Sequence, residues 1–356
     1  MARLPLLQRP DSICILRLSA IGDISHTLPV VRTLQACWPE TRISWVIGKL
    51  EHTLVSDIPG IEFIVFDKRR GWRAYWQLYQ TLKGRRFDVL LHMQMSIRAS
   101  IASLLIPADI RLGFDRQRAK DMQWLFTNEK IKYQPHQHVI DNLLGFAETL
   151  GIEEKQLRWD IPIPESALRY AQQQLDNDKP VLVIAPCSSM AYRNWTKEGY
   201  AAIADYAMEK YAMQVVLTSG PSNFEHGYAG AIRDRMKNSP LNLVGKTDLK
   251  QLLAILKKAS VVISPDAGTA HLANAVGTPV IGLYASTNPD RARPYSWPQY
   301  VVNKYPEAVE KKYGKTVDEL AWGIRVRDEG TMERISVSEV IMKLDDVMAH
   351  TVGREH

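Results

Sequence analysis

The chain has 356 residues, of which 46% are hydrophobic and 24% charged, and a formal net charge of +6. This length and apolar content suffice for about two buried cores and exclude a long disordered tract. No apolar run approaches the roughly 20 residues that span a bilayer. The opening "MARLPLLQRP" has too short an apolar core for a signal peptide, so a cytoplasmic location is expected.

The first half alternates strand and helix signals. "ICILRL" (13–18) reads as a strand and "VVRTLQACW" (30–38) as a helix. Strands follow at "RISWVIG" (42–48) and "IEFIVFD" (61–67), then a helix over 72–83 and a strand at "FDVLLHMQM" (87–95). "SIRASIASLLI" suits a helix capped by Ser96, and "HVIDNLLGFAETLG" (138–151) one stopped by Gly151. Residues 152–166 hold two prolines and no period, as a linker would. Strands then recur at 180–186, 213–220, 241–245, 261–266 and 279–286. Helices at about 196–211, 222–236, 247–258 and 268–276 lie between them, with Thr196 and Thr247 as expected caps. "SVSEVIMKLDDVM" (336–348) closes the chain as an amphipathic helix.

Such alternation predicts an α/β protein of two doubly wound, Rossmann-like domains with parallel sheets. The expected boundaries are 1–160 for the first domain and 167–325 for the second. A C-terminal helix at 331–350 is expected to pack back on the first domain. Open parallel sheets bind ligands beyond the carboxyl ends of their strands, so the strand-end loops carry the chemistry. Two such domains facing each other would frame a cleft.

In the first strand-end loop, Gly22 lets backbone approach a ligand, and the carboxylate of Asp23 follows at once. Asp23 suits either a catalytic base or a helix cap. Pro29 sits comfortably in a first helical turn, which would start the main helix near Leu28 and leave Asp23 in the loop. The other possibility is a short turn from Asp23 that kinks at Pro29.

The block "DKRRGWRAYWQLYQTLKGRR" (67–86) interleaves Arg69, Arg70 and Arg73 with Trp72, Tyr75 and Trp76. It reads either as a solvated helix face or as a phosphate-binding patch at a membrane surface. Lys120 in "FDRQRAKD" is a further candidate cation. The +6 charge favours an anionic partner, but no RNA- or DNA-reading motif occurs, so nucleic acid is not expected.

In the second half, "SPDAGTAHLANAVGTPVIGLYAST" packs strand, turn, helix and strand together. Asp266 ends the strand, and Gly268 and Thr269 open a helix whose unpaired N–H groups suit a pyrophosphate; His271 lies in its first turn. "CSSMAYRNW" adds the hydroxyls of Ser188 and Ser189 and the guanidinium of Arg193, and "PSNFEHG" adds Glu225, suited to sugar or ribose hydroxyls. No G-x-G-x-x-G follows any of these strands and no Walker A motif occurs, which disfavours a nicotinamide dehydrogenase or a P-loop enzyme. Cys14, Cys37 and Cys187 are far apart, His136 and His138 read as part of a solvated turn, and no metal or cofactor is expected.

"LRLSAIGDISHTLP" and "SPDAGTAHLANAVGTPVIGLYAST", in this order and spacing, resemble the ADP-heptose:lipopolysaccharide heptosyltransferases, glycosyltransferase family 9. The resemblance covers roughly residues 13–300 and implies a GT-B fold. It also implies inverting transfer of heptose from ADP-heptose to the Kdo region of lipopolysaccharide, on a Kdo-lipid A type acceptor, at the inner face of the inner membrane. The resemblance makes 1–160 the acceptor-binding domain, with Lys120 on the acceptor side, and 167–325 the nucleotide-sugar-binding domain, and Asp23 maps onto the catalytic base. Asp266, Gly268, Thr269 and His271 map onto the donor's diphosphate and sugar site, and Ser188, Ser189 and Arg193 onto its hydroxyls and cation. The family commonly has lysine where Arg193 stands, and arginine changes reach and geometry. The "HTLP" ending resembles the type I enzymes. A GT-B enzyme using another nucleotide sugar, and a non-catalytic nucleotide-sugar-binding protein, are the alternative readings.

Overall fold

The computed structural model describes residues 4–352, which form two compact units, residues 1–162 and 163–356 by chain span. The first unit runs β1 (Ser12–Leu16), α1 (Ile21–Cys37), β2 (Arg42–Gly48), α2 (Lys49–Val55), β3 (Ile61–Phe66) and α3 (Trp72–Leu82). It continues through β4 (Phe87–His92), α4 (Ile97–Ser103), β5 (Ala108–Gly113), β6 (Glu129–Lys130) and α5 (Val139–Leu150). The second unit runs α6 (Glu165–Gln174), β7 (Val181–Ile184), α7 (Lys197–Tyr211), β8 (Gln214–Leu217), α8 (Asn223–Arg233), β9 (Leu241–Asn242) and α9 (Leu249–Lys258). There follow β10 (Val261–Pro265), α10 (Gly268–Ala275), β11 (Val280–Tyr284), α11 (Pro289–Ala292), β12 (Val302–Asn303), α12 (Tyr305–Tyr313) and α13 (Val337–Val352).

Each unit holds one six-stranded parallel sheet, ordered β3-β2-β1-β4-β5-β6 and β12-β11-β10-β7-β8-β9. The two orders are the same doubly wound pattern, reversing direction beside β1 in one sheet and beside β7 in the other. Central strands are buried on both faces, so Ile13, Cys14, Ile15 and Leu16 read as an unbroken apolar run, as do Val181–Ile184. Strands β5, β6 and β12 and the helices α2, α6, α11 and α12 are absent from the sequence reading. "ADIRLG" (108–113) does alternate, with Ile110 and Leu112 buried, Asp109 exposed and Arg111 half-buried, as a strand covered mainly on one side should.

Capping explains several helix ends. Ser96 accepts from Ala99 N–H at 3.3 Å and Thr196 from Gly199 N–H at 3.1 Å, as expected, and Gly151 ends α5 at φ 102°. Helix α9 is capped by Asp248, which accepts from Gln251 N–H at 2.8 Å, and not by Thr247. The shift by one residue follows from Gln251, which completes a reciprocal box with the N–H of Asp248 at 3.0 Å. His138 is not solvated: it is buried and caps α5 through Nδ1, which accepts from Ile140 N–H at 3.2 Å.

Two expectations are corrected. Helix α1 begins at Ile21, not near Leu28, and carries Pro29 in its interior. Residues Ile24 through Leu34 are all buried, so packing outweighs the hydrogen bond the proline cannot donate. The C-terminal helix α13, expected on the first domain, buries its apolar face in the core of its own unit. Val340, Leu344, Val347 and Met348 join Ile203, Ala204, Ala207 and Leu283 in the core of the second unit. Tyr206 and Tyr211 from α7 bond Asp345 at 2.9 and 2.7 Å, which fixes that docking.

Candidate active site

In the first unit, the loops after β1, β3, β4 and β5 all leave the carboxyl edge of the sheet. Asp23 stands at the third position of α1, and its Oδ2 accepts the N–H of Ala20, the residue before the helix, at 3.1 Å. The capping role is therefore real, and it uses one lone pair. Oδ1 meets Arg17 Nη2 at 2.8 Å, with the Asp23 side chain still 40% exposed. Arg17 is buried, donates Nη1 to the carbonyl of Met93, and leaves Nε without a partner. The carboxylate is thus pinned by a buried cation while presenting an open edge.

The loop carrying Asp23 is held from both neighbouring strands. Gln94, just past β4, accepts from Leu18 N–H at 2.6 Å and Ser19 N–H at 3.2 Å. Gly48, at the end of β2, donates its N–H to the Leu18 carbonyl at 3.0 Å. A Cβ on Gly48 would lie 2.3 Å from that carbonyl oxygen, so only glycine lets the two backbones meet. Arg17, Gly48 and Gln94 escaped the sequence reading because each sits in an ordinary apolar or strand-end context. Arg17 could have been suspected as a charge inside "ILRL".

The other first-unit candidates lie farther along the same edge. Arg69, Arg70 and Arg73 follow β3, two strands from β1, and are exposed. Arg69 Nε lies 3.4 Å from Asp67, Arg70 donates to Gln77 at 2.7 Å, and Arg73 rides over the Trp72 ring at 5.9 Å. Lys120 is exposed in the long loop after β5, and Gly22 is buried in the first turn of α1.

In the second unit, four neighbouring strands (β11, β10, β7 and β8) bring the donor candidates to one edge. Asp266, past β10, faces Arg193 Nη1 at 3.1 Å, and Arg193 also donates to the Asp266 carbonyl at 3.1 Å. His271 Nε2 lies 3.9 Å from the other oxygen of Asp266. Burial works to raise the Asp266 pKa, but His271, the Arg193 charge and the Thr287 hydroxyl outweigh it and hold it below the ordinary value. Helix α10 starts at Gly268 with no side-chain cap, so its first N–H groups are free of an internal acceptor beside Thr269.

The hydroxyls are less available than expected. Ser188 Oγ accepts from Met190 N–H at 3.0 Å and its own N–H is taken by Asn194 at 2.8 Å, whereas Ser189 is exposed. Glu225 accepts from Ser219 Oγ (2.7 Å), Gly220 N–H (2.8 Å), Ser222 N–H (3.2 Å) and Ser222 Oγ (2.6 Å). Its four acceptor sites are filled, so here it shapes the loop after β8. Partial burial favours its protonated form, but these bonds prevail and lower its pKa. Thr287, from the loop after β11, was missed because a lone threonine past a strand carries no signal.

With this geometry in place, the relatives become informative. The chain is 41% identical over 334 residues to the lipopolysaccharide core heptosyltransferase OpsX of Haemophilus influenzae, covering 94% of this chain and 96% of that one. Among solved structures, a glycosyltransferase family 9 protein from Veillonella parvula superposes with TM-score 0.79 at 21% identity, covering 96% of this chain and 97% of that one. The E. coli ADP-heptose lipopolysaccharide heptosyltransferase II superposes at 0.73 with 18% identity, covering 96% and 99%. The structural likeness shows a shared GT-B fold of two Rossmann-like units. Residues 75–321 match glycosyltransferase family 9 (heptosyltransferase), and the chain belongs to that family of enzymes.

Proposed function

We propose that this heptosyltransferase moves heptose from ADP-heptose to the Kdo region of the lipopolysaccharide inner core, with inversion and with Asp23 as general base. The family and the printed activities of its relatives support the donor and the core acceptor. The observation that carries the mechanism is the pinned, half-open carboxylate of Asp23 at the carboxyl edge of the first sheet. In the step proposed, Asp23 takes the proton of the acceptor hydroxyl as its oxygen attacks the anomeric carbon. The bond from that carbon to the β-phosphate oxygen breaks, and ADP departs with the electron pair. Arg193 and the uncapped start of α10 offset the charge growing on the phosphate. Gly22 would give the acceptor a close approach to backbone, and Lys120 a cation for an acidic sugar. Ser188, Ser189, Gly268, Thr269 and His271 line the donor side of this reading. The type I assignment and a Kdo-lipid A acceptor rest on "HTLP".

The test is ADP release with a deacylated Kdo-containing core acceptor. ADP-heptose is expected to turn over and UDP-sugars to give background rates. Release from a UDP-sugar alone would overturn the donor assignment and favour the reading of another nucleotide-sugar enzyme.

The same reading includes peripheral contact with an anionic inner-membrane surface. Among the described residues no helix is long and apolar enough to cross a membrane. Helix α3 exposes Trp72 (72%) and Trp76 (59%). Tyr75 of α3 donates to the Arg98 carbonyl of α4, whose Ile97, Ile101 and Leu104 are exposed. Ile97 N–H in turn bonds Asp121, next to exposed Met122 and Trp124, the latter under Arg116 at 4.8 Å. Aromatic and aliphatic side chains among arginines suit a lipid headgroup layer. Each basic side chain near such a surface contributes about 1 kcal/mol. Replacing Arg69, Arg70 and Arg73 together by alanine should therefore weaken sedimentation with phosphatidylglycerol vesicles at least about tenfold. It should also raise the KM for a lipid-borne acceptor while leaving ADP affinity unchanged. Unaltered vesicle binding would leave the block as a solvated helix face.

A further inference from the structure

Beside Arg193 the second unit holds two further cations, Arg325 and Arg327, that the reading above does not use. Tyr192, beside Arg193, lies between two guanidinium groups: the carbon of Arg193 is 5.7 Å from its ring centroid, and that of Arg327 is also 5.7 Å away. The Tyr192 hydroxyl is shielded from solvent and faces the Arg193 and Arg325 side chains, and Arg193 Nε is shielded with no hydrogen-bond partner. Burial works to raise the Tyr192 pKa, but Arg193 and Arg325 prevail and lower it, which places the Arg325 charge beside the phenol as well.

The chain path explains why these groups meet. Residues 324–327 run beside the loop after β11, with Arg325 bridged antiparallel to Thr287 and Val326 N–H bonded to the Ser286 carbonyl at 3.0 Å. Ser286 Oγ donates to the Tyr192 carbonyl at 2.8 Å. Thr287 reaches Asp266, so the arginine segment borders the loops after β7, β10 and β11 together. Asp266 neutralises Arg193, but no carboxylate pairs with Arg325 or Arg327 among the described residues. Arg325 and Arg327 are thus gathered at the loops after β7 and β11 with no carboxylate partner among the described residues. Such a cluster costs self-repulsion unless an anion fills it.

We propose that Arg325 and Arg327 bind the terminal phosphate of the nucleoside diphosphate, with Tyr192, its ring against Arg327, as the residue that positions them. This rests on the donor reading of the preceding subsection and adds to it a selectivity. The leaving diphosphate carries more charge than the sugar-bound one, so the pair holds the departing product more tightly than the intact donor. Arg325 and Arg327 contact the phosphate; Tyr192 is a positioning residue.

The experiment is calorimetric titration of the full chain with ADP, and with AMP as a competitor of ADP, for wild type, Arg325→Gln, Arg327→Gln and the double variant. Each single change is expected to weaken ADP about tenfold, the magnitude of one charge-assisted bond to phosphate, and the double change more. AMP, which lacks the terminal phosphate, should stay within about twofold in every variant, and the salt dependence of ADP binding should become shallower in the double variant. Tyr192→Leu, which removes the ring, should weaken ADP without moving AMP; a merely structural tyrosine would move both. Wild type that binds neither nucleotide overturns the donor reading and this inference with it. Wild-type binding of ADP that the double variant matches, or equal loss of ADP and AMP, overturns the inference alone.

Discussion

Asp23→Asn is expected to lower transfer by about 10²–10⁴, the contribution of a positioned general base, while ADP binds within a few-fold of wild type. The amide has nearly the carboxylate's shape, so it can still accept from Ala20 N–H, and the start of α1 should survive. It cannot take the acceptor's proton. It also leaves the buried Arg17 facing a neutral group where a partner stood at 2.8 Å. Some loss of stability therefore belongs to the prediction, because an unpaired buried charge is costly. The two effects separate by measurement. Thermal unfolding reports the lost ion pair, and single-turnover rates at saturating donor report the lost base. Near-wild-type turnover by folded Asp23→Asn protein would remove the catalytic assignment and leave Asp23 as a cap with an arginine partner.

The second large effect concerns acid. His92, the last residue of β4, is fully buried, with Gln123 donating to its Nδ1 at 3.0 Å and its Nε2 without a partner. Burial first, and the Arg111 charge second, lower its pKa from 6.5 to about 3. The unfolded chain then binds a proton that the folded one refuses between these values. Stability from neutral His92 is fully present above pH 6.5 and drains away as the pH falls toward 3. One pKa unit is worth about 1.4 kcal/mol, so moving from about pH 7.5 to about pH 4.5 should cost the first unit about 3 kcal/mol through this residue. His92→Phe should start less stable at neutral pH and lose correspondingly less on acidification, measured by urea unfolding at both pH values. Parallel losses in the two proteins would show that His92 is not the acid-sensitive group.

How much of this could be read from the sequence follows from what each feature depends on. Buried parallel strands announce themselves as apolar runs, so β1, β2, β7 and β10 stand within a few residues of their expected places. Short edge strands such as β6 and β12 have little of their own to bury, and a two-residue element leaves almost no pattern. Helix α1 shows the opposite failure. Local chemistry at Pro29 argued for a late start, but the covering of Ile24–Leu34 by the rest of the unit decided it. The α13 correction has the same origin: its amphipathic pattern told that it packs, not on what.

The site divides along similar lines. Asp23, Asp266, Gly268 and His271 lie in short contiguous motifs at strand ends, where residue type and spacing carry information. Their supporting groups come from distant segments. Gln94 reaches the Leu18 backbone across 76 residues, and Arg325 meets Thr287 across a stretch with no motif. Glu225 illustrates a limit of residue type itself. A carboxylate in a strand-end loop looks like a sugar acceptor until its four bonds to its own loop are counted.

The separate interiors have an evolutionary consequence. Leu16, Val46, Phe66 and Leu78 pack together in the first unit, while Ile184, Val215, Ile263 and Leu344 pack together in the second, and the segment between α5 and α6 belongs to no strand or helix. Destabilising changes in one interior should add to, and not multiply, those in the other. A lineage can therefore retune which sugar it extends by drifting in one half, while the machinery that recognises the activated nucleotide stays under its own, independent selection.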